Sequence, residues 1–374
     1  MPGFSPRSYE TCAFCPELCL DRCPVVKATG NNAYSPHSKM LVGYLRDSGV
    51  LDDVGEAAHL AYQCTACRSC TEACEHDVDV AWSLFALRAS LVSRSLVPYE
   101  RPTFEEDDGE LKSILLGGLV PAKYVSEEAQ SVLFPGCDAI RRGGRLLRMA
   151  LRVLWGLGHE HVGISERVGR CCGYPLLAGG FVDAFEEQAR IVGKELSRYR
   201  MVVVYDPRCY VTIRHYYPLL GIERTPRVVL LHSLLAKAVL NSVGGELPGG
   251  THERVAVLDS CILARELGMV EEPRRVISRV TGEAPLELRL KGADSLCCGA
   301  NGAFERVNPS GAEAAARNVL DLALETEAET LVSGCVGCTL HLRGSVNCGR
   351  PKVMDLVELV YRWLRGGRRR GGRE

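Results

Sequence analysis

The chain has 374 residues, 46% of them hydrophobic, and a formal net charge of -1 at neutral pH. This length predicts two or three domains, each with enough apolar side chains to fill a core. The near-zero charge argues against nucleic acid as a partner, and the absence of an apolar run of about 18 residues argues against a transmembrane segment.

Cysteine is frequent, with 18 residues in the chain. In a short secreted protein so many cysteines would indicate a disulfide framework. This chain is long, and its first residues, MPGFSPRSYE, lack the apolar stretch of a signal peptide. We therefore expect a cytoplasmic protein whose thiolates stay reduced and bind metal. Peripheral association with the inner face of a membrane stays open.

Eight cysteines form two runs near the N-terminus. The second run has the C-x-x-C-x-x-C-x-x-x-C spacing of bacterial two-cluster ferredoxins, in which the fourth thiolate binds the other cluster. Applied here, one [4Fe-4S] cubane is held by Cys64, Cys67, Cys70 and Cys23, and the other by Cys12, Cys15, Cys19 and Cys74. The extra residue between Cys15 and Cys19, and Glu75 after Cys74, depart from the ferredoxin pattern but remove no ligand.

The segments between and after the two runs have helical periodicity. Apolar residues share a face over 40–45 and again over 54–61, and a third helix is predicted over 80–92. Cysteine loops between helices indicate an α-helical ferredoxin domain, which we place at residues 1–95.

Prolines and an acidic run follow in residues 98–110, PYERPTFEEDDGE. This composition favours an exposed connector over a core element. We therefore place a linker at residues 96–128.

The rest of the chain contains an internal repeat of roughly 125 residues. SVLFPGC, ending at Cys137, matches VAVLDSC, ending at Cys261, and RCCGYPLLAGGF matches LCCGANGAFERV. VVVYDPRCYVT likewise matches LVSGCVGCTLH. Three cysteine blocks recur in the same order, which indicates a duplication into halves at residues 129–248 and 249–365.

Within each half, short runs rich in Val and Leu alternate with amphipathic stretches such as 184–199 and 312–327. This alternation predicts βαβ units with a parallel sheet. The cysteines lie at or just after the carboxyl ends of the predicted strands, where open α/β sheets bind ligands. The fold class is therefore a multidomain α+β protein, with a helical ferredoxin domain followed by two duplicated α/β domains.

The second half has the fullest set of thiols: Cys261, Cys297, Cys298, Cys335 and Cys338. Thiolate selects iron–sulfur clusters or zinc. Structural zinc at Cys335 and Cys338 alone is an alternative, but five thiols exceed what a four-coordinate zinc needs. We interpret the set as a metallocluster site.

The pattern Cys261, Cys297-Cys298-Gly299 and Cys335-x-x-Cys338 resembles the cysteine-rich CCG domain of the heterodisulfide reductase catalytic subunit. The order of a two-cluster ferredoxin and two CCG domains resembles its fused form, and also the iron–sulfur subunits of glycolate oxidase, lactate-utilisation and anaerobic glycerol-3-phosphate dehydrogenase systems. The resemblance implies that the five cysteines of the second half hold a noncubane [4Fe-4S] cluster where disulfide chemistry occurs.

The first half departs from this motif. Cys137, Cys171, Cys172 and Cys209 match, but if Cys209 is set against Cys335 the fifth position is occupied by Thr212. A threonine hydroxyl is a poor substitute for thiolate at iron. Either four cysteines still hold a further cluster, or this half is a structural or partner-binding copy.

These expectations define an iron–sulfur oxidoreductase that passes electrons through two cubanes to a disulfide-active site. The alternative is a non-catalytic electron-transfer subunit that links a flavoprotein dehydrogenase for glycolate, lactate or glycerol-3-phosphate to a quinone or membrane acceptor. Redox partners are expected in both cases: a flavoprotein, a heterodisulfide reductase-like subunit or a membrane cytochrome. A structural or sensory cluster protein is the third class. The sequence contains no G-x-G-x-x-G fingerprint, so we expect no flavin or nicotinamide to bind to this chain.

Three features receive no role in this scheme. Residues 366–374 form a basic, glycine-rich tail, a composition typical of disordered segments. Cys348 lies outside every motif and is predicted to be a packing cysteine. His59, His76, His232 and His341 are assigned no function.

Overall fold

The computed structural model describes residues 5, 7–50, 55, 57–102, 104–222, 226–241, 253–347 and 349–370. Cys348 and part of the helix predicted over 54–61 lie outside them. Within these ranges, no helix is both long and apolar enough to cross a membrane.

The N-terminal domain is helical, as predicted. Its α-helices are α1 Arg7–Ala13, α2 Pro24–Thr29, α3 Pro36–Asp47, α4 Ala58–Tyr62, α5 Ser69–Glu72 and α6 Val80–Val92. Ser35 is the N-cap of α3, and its hydroxyl accepts a hydrogen bond from the Ser38 amide at 3.0 Å. Asp79 is the N-cap of α6, and its carboxylate accepts a hydrogen bond from the Trp82 amide at 3.0 Å. These side chains satisfy amide groups that have no partner inside a helix. The helix predicted over 80–92 is confirmed.

Each half contains one four-stranded parallel sheet, so the predicted fold class is confirmed. The strand orders are β2-β1-β3-β4 and β6-β5-β7-β8, two copies of one topology. The strands of the first half are β1 Ser131–Phe134, β2 Val162–Gly163, β3 Met201–Val204 and β4 Arg227–Leu230. Those of the second half are β5 Val255–Leu258, β6 Leu286–Glu287, β7 Thr330–Ser333 and β8 Lys352–Asp355.

Helices cover both sheets. Residues Phe104–Ile114 form α7; the first half then contains α8 Cys137–Arg141, α9 Gly144–Gly156, α10 Tyr174–Gly179, α11 Val182–Leu196, α12 Pro207–Val211 and α13 Leu231–Asn241. The second half contains α14 Glu271–Thr281, α15 Phe304–Val307, α16 Pro309–Glu325, α17 Val336–Ser345 and α18 Leu356–Arg370. By position in the repeat, α9 corresponds to α14 and α13 corresponds to α18. At the interface α13 packs against α14 and α9 packs against α18, so the same kind of contact occurs twice with the halves interchanged. The halves therefore pair with approximate two-fold symmetry.

One side chain joins all three domains. The Arg88 guanidinium is fully buried and donates to the carbonyls of Ala61 at 2.8 Å, Ala178 at 2.6 Å and Gly302 at 2.8 Å. A fourth bond, at 3.2 Å, reaches the carbonyl of Cys64. A buried guanidinium needs such partners because it has left water. The ferredoxin domain is thus fixed to both halves at one point.

Two predictions about connecting segments differ in part from the structure. Residues 98, 100, 101, 109 and 110 of the expected connector are exposed, but its C-terminal part lies in α7, which buries Asp108, Leu111 and, just beyond its end, Leu115. The two leucines pack into the core of the first half, which is enough to hold the segment in place despite its acidic composition. The basic tail is helical as far as Arg370; residues 371–374 lie outside the described ranges.

Candidate metal centres

The first group of thiols belongs to the ferredoxin domain. Cys23, Cys64, Cys67 and Cys70 line one small cavity of about 20 Å³. Burial raises the pKa of the Cys70 thiol, and the neighbouring thiols of Cys64, Cys67 and Cys23 raise it further. The Lys39 ammonium is also buried and lies 3.9 Å from the Cys23 sulfur. The structure therefore brings together the four residues that the spacing assigned to one cubane.

The other four N-terminal cysteines form a second group. Burial raises the pKa of Cys12 to about 12, with further contributions from Cys19, Cys15 and Cys74. Cys19 is raised in the same way, to a pKa of about 11. Cys74 thus lies with the first run of cysteines, as the crossed ferredoxin pattern predicts.

In the second half the five thiols are all buried. Cys261 and Cys297 are in hydrogen-bonding contact, and the sulfurs of Cys298 and Cys338 lie 3.1 Å apart. Hydrogen bonds with Cys297 and Cys338 lower the pKa of Cys298. Gly299 has a φ of +94°, and a Cβ there would come within 2.6 Å of the Ala312 carbonyl oxygen. The turn that presents the Cys-Cys pair therefore requires glycine.

The first half repeats these contacts. The sulfurs of Cys137 and Cys171 lie 4.0 Å apart, and hydrogen bonds with Cys171 and Cys209 lower the pKa of Cys172. These four cysteines line a cavity of about 120 Å³ whose opposite wall is residues 300–303 of the second half. That wall directly follows Cys298 and Gly299.

The strand registers correct the alignment of the two halves. Val204 pairs with Phe134 at the end of β3, and Ser333 pairs with Leu258 at the end of β7. Counting onward from Val204 and Ser333, Asp206 corresponds to Cys335 and Cys209 to Cys338. Asp206 and Cys335 are also the N-cap residues that immediately precede α12 and α17.

Thr212 therefore does not occupy the fifth position of the motif. It lies one helical turn beyond Cys209, where its hydroxyl donates to the Arg208 carbonyl at 2.7 Å. Its hydroxyl also contacts Cys172. Asp206 is the residue that stands where the second half has Cys335.

The ferredoxin domain meets the second half at a thiol pair. Cys67 and Cys297 are in hydrogen-bonding contact. Arg265 lies beside them: its Nε donates to the Cys67 carbonyl at 2.5 Å, and its Nη1 donates to the Ser295 carbonyl at 2.9 Å. One guanidinium thus joins the Cys67 loop of the ferredoxin domain to the loop before Cys297 in the second half.

Sequence reasoning missed four of the polar residues around these sites. Asp108 gave no signal, because it is one of several acidic residues in a polar run. Arg88 did give one, since an arginine at helical spacing among Leu84, Leu87 and Leu91 lies on an apolar face. Arg208 and Arg265 contact residues far away in the sequence, so only the fold reveals them.

The donor set fits iron–sulfur clusters. Each site offers several soft thiolates at the ends of buried loops, the ligands that such clusters select. Within the described ranges, no three His, Cys, Asp or Glu side chains close around the position of a single metal ion. The cavity lined by four thiols in the ferredoxin domain has the donors of one cubane.

Comparison with known proteins agrees with these sites. The model of the cysteine-rich CCG domain matches residues 131–214 and 255–343, and that of the 4Fe-4S dicluster domain matches residues 8–78. One component of the dihydromethanophenazine:CoB-CoM heterodisulfide reductase of Methanosarcina barkeri is 26% identical over 388 residues, covering 94% of this chain and 93% of that protein. Lactate utilization protein A of Oceanobacillus iheyensis is 25% identical over 228 residues, covering 56% of this chain and 92% of that protein.

Among solved structures, a hypothetical protein from Helicobacter pylori shares the fold, with a TM-score of 0.53 and 11% identity. The similarity covers 88% of this chain and 68% of that one. The resemblance noted from the cysteine spacing is confirmed by the two domain matches. The chain therefore carries one 4Fe-4S dicluster domain and two cysteine-rich CCG domains, and it is an iron–sulfur electron-transfer protein similar to heterodisulfide reductase and lactate-utilisation subunits.

Proposed function

We propose that this chain is the iron–sulfur subunit of an oxidoreductase in which the two N-terminal cubanes deliver electrons to the second half. There Cys261, Cys297, Cys298, Cys335 and Cys338 hold a noncubane [4Fe-4S] cluster, and a small disulfide exchanges electrons with it. The observation that carries this proposal is the contact between Cys67 and Cys297. It joins one ligand set to the next through neighbouring sulfurs.

Two cations stabilise the reduced state of the sites along this path. Lys39 lies against Cys23, and the Arg265 guanidinium faces Cys67, Cys261 and Cys297. Iron–sulfur clusters, when bound, take up and release electrons singly, and nearby charge and burial tune their potentials. Positive charge at these two points favours the more negative, reduced state of each site.

The cavity of about 120 Å³ lies beside the first-half cysteines, and a small substrate there would contact the second half at residues 300–303, which directly follow Cys298 and Gly299. Arg141 and Arg306 line it, together with Asn301. Asn301 is buried, and its amide has no hydrogen-bond partner among the described residues. Asp138, Asp206 and Glu305 line the cavity as well, and Arg141 is paired with Glu110 at 3.1 Å. The free amide of Asn301 therefore favours a polar substrate that can hydrogen-bond to it. Reduction of a disulfide consumes two electrons and two protons and releases two thiols.

The test is reduction of a small polar disulfide by the anaerobically purified chain, with a reduced viologen dye as the electron donor. Cys298→Ala should abolish turnover while the cubane EPR signals remain, because only the second half loses a ligand. Cys348→Ala is the matched control and should retain turnover. Full turnover in Cys298→Ala would contradict the proposal.

The relative in lactate utilisation favours a second candidate, a non-catalytic subunit between a flavoprotein and a quinone or membrane acceptor. The same electron path then serves a partner protein, either a flavoprotein dehydrogenase or a cytochrome subunit at the inner face of the membrane. Isolation of the native complex separates the two candidates. A flavin-containing partner that oxidises lactate or glycolate, together with no disulfide turnover by the chain, supports the second and overturns the first.

A further inference from the structure

We propose that the groove between α9 and α18 binds a small, multiply charged anion of the phosphate class, either an inorganic polyphosphate or the phosphate chain of a nucleotide. This inference does not depend on the proposed electron path. The groove has a volume of about 660 Å³ and is lined by residues of both halves. Small-molecule sites in proteins have volumes of about 300–1,000 Å³, so the groove is large enough for such a ligand.

The groove lies far from the cysteine-bearing loops. Helix α9 follows the loop after β1 that carries Cys137, and it runs back to the start of β2. Its 13 residues span about 20 Å, and residues of its C-terminal part line the groove. The groove is therefore near the amino ends of the strands, whereas the thiols lie at the carboxyl ends.

Three cations from three separate segments converge on the groove: Lys123, Arg152 and Arg365. Each of them is held over an aromatic ring. The Lys123 ammonium lies 4.8 Å from the centre of the Tyr124 ring, and the guanidinium carbons of Arg152 and Arg365 lie 5.9 and 5.8 Å from the centre of the Tyr361 ring. Arg152 also donates to the Tyr361 hydroxyl at 2.9 Å. These contacts orient the charges before a ligand arrives, which lowers the entropic cost of binding.

Within the part of the chain that the structure describes, no carboxylate forms an ion pair with any of these three cations. Other arginines of the same two helices do have such a partner: Arg145 of α9 and Arg362 of α18 lie 3.9 and 3.1 Å from the Glu358 carboxylate. Among the described residues that line the groove, the single acid is Glu160, which is exposed. The groove therefore has an excess of positive charge that is not neutralised by its own walls.

This arrangement favours a phosphate-class anion. Guanidinium groups bind phosphate oxygens through paired, charge-assisted hydrogen bonds. An anion with several negative oxygens can engage the three cations at once, whereas a single carboxylate can pair with only one or two of them. Because α9 belongs to the first half and α18 to the second, a bound anion also links the halves and stabilises the folded chain.

The test is isothermal titration calorimetry of the anaerobically purified full-length protein with inorganic tripolyphosphate and, separately, with ATP. Both should bind at a single site per chain. Tighter binding of ATP identifies a nucleotide as the ligand, and equal or weaker binding of ATP identifies a free polyphosphate. The cubane EPR signals should stay unchanged during both titrations, which excludes extraction of iron as the source of the heat.

Substitutions in the groove should act in opposite directions according to charge. Arg152→Gln and Arg365→Gln should each weaken binding about tenfold or more, because each removes a charge-assisted hydrogen bond. Glu160→Gln should strengthen binding, because it removes the carboxylate that repels the anion. Arg190→Gln, which removes an exposed charge from α11, is the matched control and should leave the affinity unchanged.

Absence of binding to the wild type would overturn the inference. Unchanged affinity in Arg152→Gln and Arg365→Gln, with both variants folded by circular dichroism, would overturn it as well. An equal loss in Arg190→Gln would do the same, because the anion would then bind to exposed arginines in general. None of these outcomes bears on the proposed electron path, which is tested separately by Cys298→Ala.

Discussion

The two CCG halves share one sheet topology and one set of cysteine contacts, yet they face different surroundings. The second half has five buried thiols and lies against the ferredoxin domain at Cys67. The first half has Asp206 in place of one thiol, and its cysteines line a cavity. The first half also meets the ferredoxin domain, through the hydrogen bonds of Tyr62 to Gly179 and of Arg88 to Ala178. Duplication thus preserved the scaffold, while one motif position and the Cys67 contact made the halves different.

This comparison assigns the receipt of electrons to the second half. Its site lies next to another ligand set, and its sulfurs are close to those of the ferredoxin domain. The cavity lies beside the first-half cysteines, and residues 300–303, which follow the Cys297-Cys298 pair and Gly299, are the part of the second half that borders it. Three substitutions test this assignment, each by acting on one or both halves.

The largest effect is expected at Arg88, which holds both halves to the ferredoxin domain. Arg88→Met removes a buried guanidinium and leaves carbonyls of Ala61, Ala178 and Gly302 without their donor. We expect a loss of about 3–5 kcal/mol in the free energy of unfolding, the range for breaking a buried charged network. Thermal unfolding followed by circular dichroism measures it. Arg289→Met, at an exposed ion pair, is the control and should change stability little.

A smaller and one-sided effect is expected at Arg265. Its charge lies beside Cys67, Cys261 and Cys297 but belongs to no first-half contact described above. Arg265→Gln should lower the midpoint potentials of the sites that contain Cys67 and Cys297 by on the order of 100 mV. The reason is that two unit charges about 4 Å apart interact by about 4 kcal/mol at an effective dielectric constant of about 20, and the substitution removes one of them. Redox titration followed by EPR measures this shift. An equal shift at all sites would contradict the local role of Arg265.

The smallest effect is expected at Asp108, and it should be confined to the first half. Its carboxylate accepts the Cys171 amide at 3.0 Å and Arg170 at 2.7 Å, and Gln188 donates to it at 3.2 Å. Asp108→Asn should cost about 1.5–3 kcal/mol, the value of hydrogen bonds to a charged group.

Thermal unfolding measures this change. Glu110→Gln, on the same helix but with an exposed side chain, should have little effect. Equal destabilisation by Glu110→Gln and Asp108→Asn would show that the Asp108 hydrogen bonds are not the cause.

The sequence was sufficient for the features that depend on spacing and periodicity. The crossed grouping of Cys23 with Cys64, Cys67 and Cys70 is matched by a shared cavity, and the alternation of apolar runs predicted both sheets. Helix 80–92 was predicted with its correct bounds. These features follow from local chemistry, which a single sequence displays.

Contacts between distant residues were beyond it, and one correspondence was wrong. Setting Cys209 against Cys335 placed Thr212 at a ligand position, whereas the ungapped match of VVVYDPRCYVT with LVSGCVGCTLH and the strand pairing both place Asp206 there. The acidic run was expected to be exposed because composition does not reveal that Asp108 meets Arg170 and the Cys171 amide. The contact of Cys67 with Cys297 joins residues 230 positions apart and has no local signature.

The central claim is that the second half holds a thiol-active cluster supplied by the ferredoxin domain. The most direct test is EPR with iron quantification during an anaerobic titration from oxidised to dithionite-reduced protein, followed by addition of a thiol to the oxidised form. We predict reducible cubane signals in the wild type and in Cys298→Ala, and a thiol-dependent paramagnetic species in the wild type alone. About eight irons per chain, all in reducible cubanes and with no thiol-dependent signal, would contradict the account.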